Sequence, residues 1–146
     1  MSIKDICGRQ VVTATKDASV NEVAKLMKKH NVGNVVIIDN QVTTNKPVGI
    51  LTDRDITMKI VAEDVDARQI SAGDIMAENL LLLHGNQSIN EAIDMMCAKG
   101  VRRAPISDDT HKIIGIASID DLFILLAEEM GSLSKLIRKQ VDAVKK

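Results

Sequence analysis

Two short motifs in this chain pair a hydroxyl side chain with an aspartate three residues further on. Each consists of a glycine, two apolar residues, the hydroxyl residue and then the aspartate: Gly49-Ile-Leu-Thr-Asp-Arg-Asp55 and Gly115-Ile-Ala-Ser-Ile-Asp-Asp121. A carboxylate such as Asp55 or Asp121 can accept two hydrogen bonds from the vicinal hydroxyls of a ribose. The hydroxyl of Thr52 or Ser118 can serve the ribose or an adjacent phosphate. The same spacing is also that of a helix capping box, which is the structural alternative.

Two adjacent arginines form the second chemical feature. Arg102 and Arg103 stand at the entrance of a predicted strand, and guanidinium groups suit phosphate oxygens. The corresponding positions in the first half of the chain hold Gly33 and Asn34. We therefore expect any phosphate preference to differ between the two halves. The alternative is a pair of solvated arginines at a strand edge.

The sequence offers no recognisable catalytic motif. It contains no GxSxG, HExxH or GxxxxGK[ST] segment, and no serine or cysteine has an obvious basic partner. The aspartates that follow Thr52 and Ser118 could form carboxylate pairs, but acidic residues in the first turn of a helix are also stabilised by its dipole. The three histidines and two cysteines lack zinc-ligand spacing. We predict no catalytic residues, no metal site and no enzyme activity.

The motifs belong to an internal repeat, which predicts the architecture. Ser19-Val-Asn-Glu22 returns 69 residues later as Ser88-Ile-Asn-Glu91, in each case as a capping box that opens an amphipathic helix. Around these helices each half reads strand, helix, strand, strand, helix, which predicts an α/β (α+β) fold with two β-α-β-β-α repeats packed by pseudo-twofold symmetry. We place the repeats at residues 2–65 and 70–130.

The composition of the chain argues against nucleic acid and membranes as partners. The 146 residues carry a net charge of −1 and include no Trp, no Tyr and one Phe, so we expect no nucleic-acid partner. No apolar run approaches the length of a membrane span, and no amino-terminal stretch resembles a signal peptide. We predict a cytoplasmic protein without a membrane partner.

The carboxyl-terminal segment 132–146 belongs to neither repeat. Its apolar residues fall on one helical face, opposite a basic face. We expect a separate amphipathic helix that mediates self-association or docks on its own module. A membrane-surface role is disfavoured because the apolar face has no aromatic residues.

The chain resembles the tandem cystathionine-β-synthase-type (CBS) domain pair, also called a Bateman module. The resemblance covers residues 2–130 and rests on both Gly-h-h-[ST]-x-x-Asp motifs, on the helices that open at Ser19 and Ser88, on the Asp5-Ile6 and Asp74-Ile75 openings, and on Val101–Pro105. The family implies adenosine-containing ligands such as AMP, ADP, ATP or S-adenosylmethionine. It also implies disc-like homodimers.

Carried over residue by residue, the resemblance implies a set of ligand contacts. Asp55 and Asp121 would bind ribose, with Thr52 and Ser118 beside them. Thr13 and Leu82, on the first strand of each repeat, would lie near adenine. Arg102 and Arg103 match positions that meet phosphates.

These observations predict a stand-alone regulatory module that binds an adenosine-containing ligand in clefts between the repeats. It would require no cofactor and would signal through assembly or through an unknown regulated protein. The alternative is a ligand-independent interaction or scaffold protein that uses the CBS pair and the carboxyl-terminal helix.

Overall fold

The computed structural model describes residues 1–7, 10–39 and 46–145, in which each half of the chain builds one three-stranded sheet. In the first half, a parallel pair and an antiparallel pair share the middle strand. Its elements are β1 (Thr13–Thr15), α1 (Val20–His30), β2 (Asn34–Ile38), β3 (Pro47–Thr52) and α2 (Asp53–Ile56), with a π-helical turn at Thr57–Val61.

The second half repeats this order with the same pairing. A short helix, α3 (Ala72–Ile75), precedes it. Its elements are β4 (Leu83–His84), α4 (Ile89–Lys99), β5 (Arg103–Ser107), β6 (Ile113–Ser118) and α5 (Ile119–Val144). β4 is parallel to β5, and β5 is antiparallel to β6. The predicted mixed fold with two strand-helix-strand-strand-helix repeats is thus confirmed.

Capping boxes open the long helix of each repeat, as predicted. Ser19 Oγ accepts a hydrogen bond from Glu22 N at 3.1 Å, and Ser88 Oγ accepts one from Glu91 N at 3.2 Å. Each glutamate in turn accepts a hydrogen bond from the backbone N–H of its serine. Two otherwise unpaired donors at each helix start are satisfied in this way.

The two halves exchange their opening segments. Ile3, in a 3₁₀ turn at Ile3–Asp5, is fully buried in the core of the second half, and its N–H donates to Gln87 O at 2.9 Å. Ala72, at the start of α3, is fully buried in the core of the first half, and its N–H donates to Ala18 O at 2.7 Å. The boundaries 2–65 and 70–130 remain a prediction for the sequence repeats, but the packing crosses them.

The predicted separate helix at 132–146 is corrected by the structure. α5 is one continuous helix of 26 residues that passes through Gly131, while Lys146 lies outside the described residues. A glycine in a helix interior costs only about 1 kcal/mol relative to alanine, which is too little to end a helix whose hydrogen bonds continue on both sides. The first turns of α5 belong to the second repeat, and the rest extends from them.

Candidate functional site

The first hydroxyl–aspartate pair joins β3 to α2. Asp55 N donates to Thr52 Oγ1 at 3.1 Å, and Asp55 Oδ2 accepts from Thr52 N at 3.0 Å. The pair is therefore a complete capping box, which confirms the structural alternative for this motif. Both residues are half-buried, so their side chains remain partly accessible to a ligand at the carboxyl end of β3 while they cap α2.

The second pair joins β6 to α5 with a different hydrogen-bond pattern. Asp121 N donates to Ser118 Oγ at 3.2 Å, and Ser118 Oγ donates to Asp121 Oδ2 at 2.7 Å. The carboxylate thus binds the serine hydroxyl and not its backbone N–H. Among the described residues, the other carboxylate oxygen of Asp121 has no hydrogen-bond partner. Asp121 is therefore held in place at the helix start with one oxygen ready to accept.

Strand pairing brings Arg103 to the second motif. Arg103 and Ser118 are directly opposite in the antiparallel ladder of β5 and β6, and Asn34 and Thr52 are opposite in the ladder of β2 and β3. Opposed residues of an antiparallel pair point to the same face of the sheet with Cβ atoms about 5 Å apart. Arg103, which is half-buried, is thus a neighbour of Ser118, whereas the first half has an amide at that place.

Arg102 lies one residue before β5 and outside the β5–β6 ladder. It is exposed, and its carbonyl oxygen accepts from Ile119 N at 3.0 Å, which satisfies one of the free donors at the start of α5. In the first half, Gly33 O accepts from Asp53 N at 3.0 Å in the same way. A Cβ at Gly33 would lie 3.0 Å from Asp53 Oδ2, so the first half has less room for a side chain there.

A cleft of about 240 Å³ lies against Asp121. Its described lining comes from the amino-terminal turn and from α5: Asp5, Ile6, Asp121, Ile124, Leu125 and Glu128. Three of these side chains are carboxylates. Hydrogen bonds from Ser2 N–H and Ser2 Oγ, both at 2.8 Å, lower the pKa of Asp5 below its ordinary value. Like any aspartate with a pKa at or below its ordinary value, Asp5 is ionised at neutral pH, and it adds a negative charge to the cleft.

The corresponding place in the first half contains a lysine. Lys59 lies four residues after Asp55, where Leu125 follows Asp121 in the second half. Lys59 Nζ lies 4.0 Å from Asp55 Oδ1 and donates to Ile75 O at 2.9 Å. The first carboxylate therefore has a cation of its own chain beside it, and the second has a leucine.

The two residues expected near adenine are not among the lining residues of this cleft. Thr13 is exposed at the first position of β1. Leu82 is half-buried and precedes β4, which begins at Leu83, so its placement on the first strand of the second repeat was wrong. The apolar run of leucines predicted a longer strand, but only Leu83 and His84 pair with β5.

Sequence reasoning missed Asp5, Ile6 and Glu128 as candidate site residues. Asp5-Ile6 was recognised only as part of the repeated opening that returns as Asp74-Ile75. The repeat placed these residues in the first half, so nothing indicated that they contact the second. Glu128 lies two turns of helix after Asp121, and this i, i+7 relationship was the available signal.

Comparison with known proteins identifies the family. The model of the CBS domain matches residues 3–62 and 72–128, which together make up most of the chain. The chain belongs to the CBS domain family. The CBS pair predicted from the repeated motifs is therefore confirmed, and the two matched ranges correspond to its two copies.

Relatives of this CBS pair are found in archaea and bacteria. It is 33% identical over 123 residues to the CBS domain-containing protein YhcV of Bacillus subtilis, covering 84% of each chain. It is 34% identical over 122 residues to an uncharacterized protein of Methanopyrus kandleri, covering 84% of this chain but only 61% of that protein.

Solved structures share the fold. The CBS domain pair of protein MJ0100, in complex with 5′-methylthioadenosine and S-adenosyl-L-methionine, aligns with a TM-score of 0.73 at 26% identity, covering 88% of this chain and 98% of that one. A conserved protein of Pyrococcus horikoshii also aligns with a TM-score of 0.73, at 25% identity, covering 85% of this chain and 90% of that one.

Metal-binding clusters and membrane-spanning helices are both absent from the described residues. No group of three histidine, cysteine, aspartate or glutamate side chains there could hold a metal ion. No helix in residues 1–7, 10–39 and 46–145 is both long and apolar enough to cross a bilayer. Near Ser118, the described residues offer a ligand the cleft at Asp121, the carboxylates of that cleft and the half-buried Arg103.

Proposed function

We propose that this CBS pair is a non-catalytic regulatory module whose cleft at Asp121 binds an adenosine-containing ligand. The observation that carries the proposal is the position of Asp121 at the start of α5. Ser118 fixes one of its carboxylate oxygens, and the other lacks a partner among the described residues beside a cleft of about 240 Å³. A ribose presents two adjacent hydroxyl donors, and such a carboxylate can accept from them.

The related MJ0100 pair supports this ligand class, since it is in complex with 5′-methylthioadenosine and S-adenosyl-L-methionine. In the present chain, Asp5 and Glu128 line the cleft with Asp121. Three carboxylates disfavour a phosphate nearby and favour an uncharged or cationic group on the ribose. We therefore rank 5′-methylthioadenosine and S-adenosylmethionine above AMP, ADP and ATP for this cleft.

The two halves are proposed to bind unequally. Lys59 lies between the Asp55 carboxylate and the Ile75 carbonyl, so a ribose at Asp55 would have to displace or share that ammonium group. Leu125 imposes no such competition at Asp121. We expect one high-affinity site for each chain, formed by the second motif and the amino-terminal turn.

Isothermal titration against adenosine, 5′-methylthioadenosine, S-adenosylmethionine, AMP and ATP tests the proposal. The expected result is binding with about one ligand for each chain and a rise in Tm, because a ligand that binds only the folded state stabilises it. Absence of both heat and a Tm shift with all five compounds would reject the sensor function.

The proposed module acts in the cytoplasm as a homodimer and passes its signal to another protein or to its own assembly. Ligand binding shifts such an equilibrium only if one arrangement binds the ligand better than the other. The exposed apolar residues of α5 favour a second candidate, a scaffold that associates without any ligand. Oligomerisation with no response to the five compounds would favour the scaffold.

A further inference from the structure

α5 carries a regular apolar seam along its whole length. Positions separated alternately by four and three residues are apolar except for one glutamine: Ile119, Phe123, Leu126, Met130, Leu133, Ile137, Gln140 and Val144. This is the heptad spacing by which two helices pack side by side. A single polar residue in such a seam is compatible with pairing and helps to set its register.

Most of this seam is exposed in the single chain. Phe123, Met130, Leu133, Ile137 and Val144 are between 60% and 86% exposed. Two further apolar residues, Leu136 and Val141, flank the seam and are 56% and 47% exposed. Exposed apolar patches of this extent mark surfaces that bind another molecule.

Charge is divided along α5 in a way that selects the partner. Within α5, four acidic residues precede Gly131, and three basic residues with one aspartate follow it: Asp120, Asp121, Glu128 and Glu129, then Lys135, Arg138, Lys139 and Asp142. A second α5 in antiparallel orientation would place the basic half of one helix beside the acidic half of the other. A parallel copy would place like charges together, which is unfavourable.

The surface continues onto the body of the second repeat. A groove of about 130 Å³ between α4 and α5 is lined by Ile93, Ile119, Leu122, Phe123 and Leu126. In an antiparallel pair centred a few residues after Gly131, the carboxyl-terminal end of one helix reaches this groove of the other chain. The distal end at Val144, which is 86% exposed, then has an apolar surface to cover it.

We propose that α5 pairs with α5 of a second copy of this chain in antiparallel orientation, through the seam and the groove. This gives the proposed homodimer a specific contact surface and holds whether or not the cleft binds a ligand. An anionic membrane is the competing occupant, because the polar face of the distal half is basic. The membrane is disfavoured since the segment 130–145 has no aromatic residue at its apolar face and has Gln140 within its seam.

Size-exclusion chromatography with light scattering on the full chain, without added ligand, tests the pairing. We expect a dimer whose Kd rises at least about a hundredfold in the variant Leu133→Gln/Ile137→Gln, because two apolar side chains leave the seam. The matched control Lys135→Gln/Lys139→Gln changes the polar face of the same turns and should remain dimeric. A monomeric wild type, or a dimer unaffected by the seam variant, would overturn the proposal.

Orientation is measured separately with spin labels on Lys145→Cys in a Cys97→Ser background. Cys97 is exposed and would otherwise be labelled, whereas Cys7 is buried. Antiparallel helices centred near residue 134 place the two labels roughly 30 Å apart, at 1.5 Å per residue, and parallel helices place them within about 20 Å. The shorter distance overturns the antiparallel pairing.

Monomers that bind anionic phosphatidylserine vesicles through the seam would assign the surface to a membrane instead.

Discussion

Lys59 Nζ lies 4.0 Å from the carboxylate of Asp55, whereas Leu125 takes the corresponding position relative to Asp121. The two Gly-h-h-[ST]-x-x-Asp motifs are thus alike in sequence but differ in electrostatic surroundings. A lysine lies beside the first aspartate, and the second aspartate lies in a cleft with two more carboxylates.

Exchanging the two residues should move the binding site. In Leu125→Lys, the new ammonium group competes for Asp121, so the affinity for 5′-methylthioadenosine should fall at least about tenfold. In Lys59→Leu, the stoichiometry measured by isothermal titration should rise from about one ligand to two. Leu125→Met is the control, because it keeps an apolar side chain of similar volume. Unchanged affinity in Leu125→Lys would contradict the role of this position.

Removing the second carboxylate should weaken ribose binding. Asp121→Ala should cost about 1–3 kcal/mol of binding free energy, since hydrogen bonds to a charged acceptor are lost. Asp55→Ala should have a smaller effect because the ammonium group of Lys59, 4.0 Å away, competes with a ribose for that carboxylate. Asp120→Ala is a matched control, because it removes an exposed carboxylate from the same helix turn that does not line the cleft. Titration with adenosine checks this, and equal losses in Asp121→Ala and Asp120→Ala would contradict a direct contact of Asp121 with the ribose.

Arg103 should affect phosphorylated ligands selectively. It is the neighbour of Ser118 across the β5–β6 ladder, so Arg103→Gln should reduce the affinity for AMP more than the affinity for adenosine. Arg102→Gln is the control, because Arg102 is exposed and contributes its backbone carbonyl to the helix start. The ratio of the two dissociation constants is the measurement. An unchanged ratio in Arg103→Gln would exclude a phosphate contact.

The amino-terminal turn should stabilise the second half. Ile3→Ala removes a fully buried side chain from that core and should lower the free energy of unfolding by about 2–5 kcal/mol. Met1→Ala, at a residue 73% exposed, should change it by less than about 0.5 kcal/mol. Urea unfolding gives both values. Hydrogen exchange in Ile3→Ala should accelerate first at β4 and β5, and acceleration confined to β1 and β2 would refute the exchange of segments.

Asp5 should titrate below its ordinary pKa because Ser2 donates to it through both N–H and Oγ. A lowered pKa in the folded state means that the associated stability is present above the unfolded-state pKa and is lost as the pH falls through the folded value. In Ser2→Ala the hydroxyl donor is missing, so the pKa of Asp5 should rise toward 3.8. Carboxyl-carbon NMR of the two proteins measures the pKa of Asp5, and an unchanged value in Ser2→Ala would contradict the role of the hydroxyl donor.

The repeat, the capping boxes and the order of the elements were predictable from sequence because they depend on local spacing. Ser19 with Glu22 is one case, and Thr52 with Asp55 is another. The partner of the opening turn was not predictable, since Ile3 is an apolar residue that fits either core. The sequence also suggested a break at Gly131, but α5 continues through this residue because glycine is only a weak helix breaker in an otherwise continuous pattern.

Because the opening segments are exchanged, neither half of this protein has a complete hydrophobic core by itself. A chain that held only the second repeat would lack Ile3 and would expose the core that this residue covers. In two such chains, the turn before the first strand of each chain could pack into the core of the other. A symmetric domain-swapped dimer would result. In the present chain, both opening segments belong to one polypeptide, and the exchange takes place between its two halves. Cleavage between the repeats should therefore leave two fragments that remain associated.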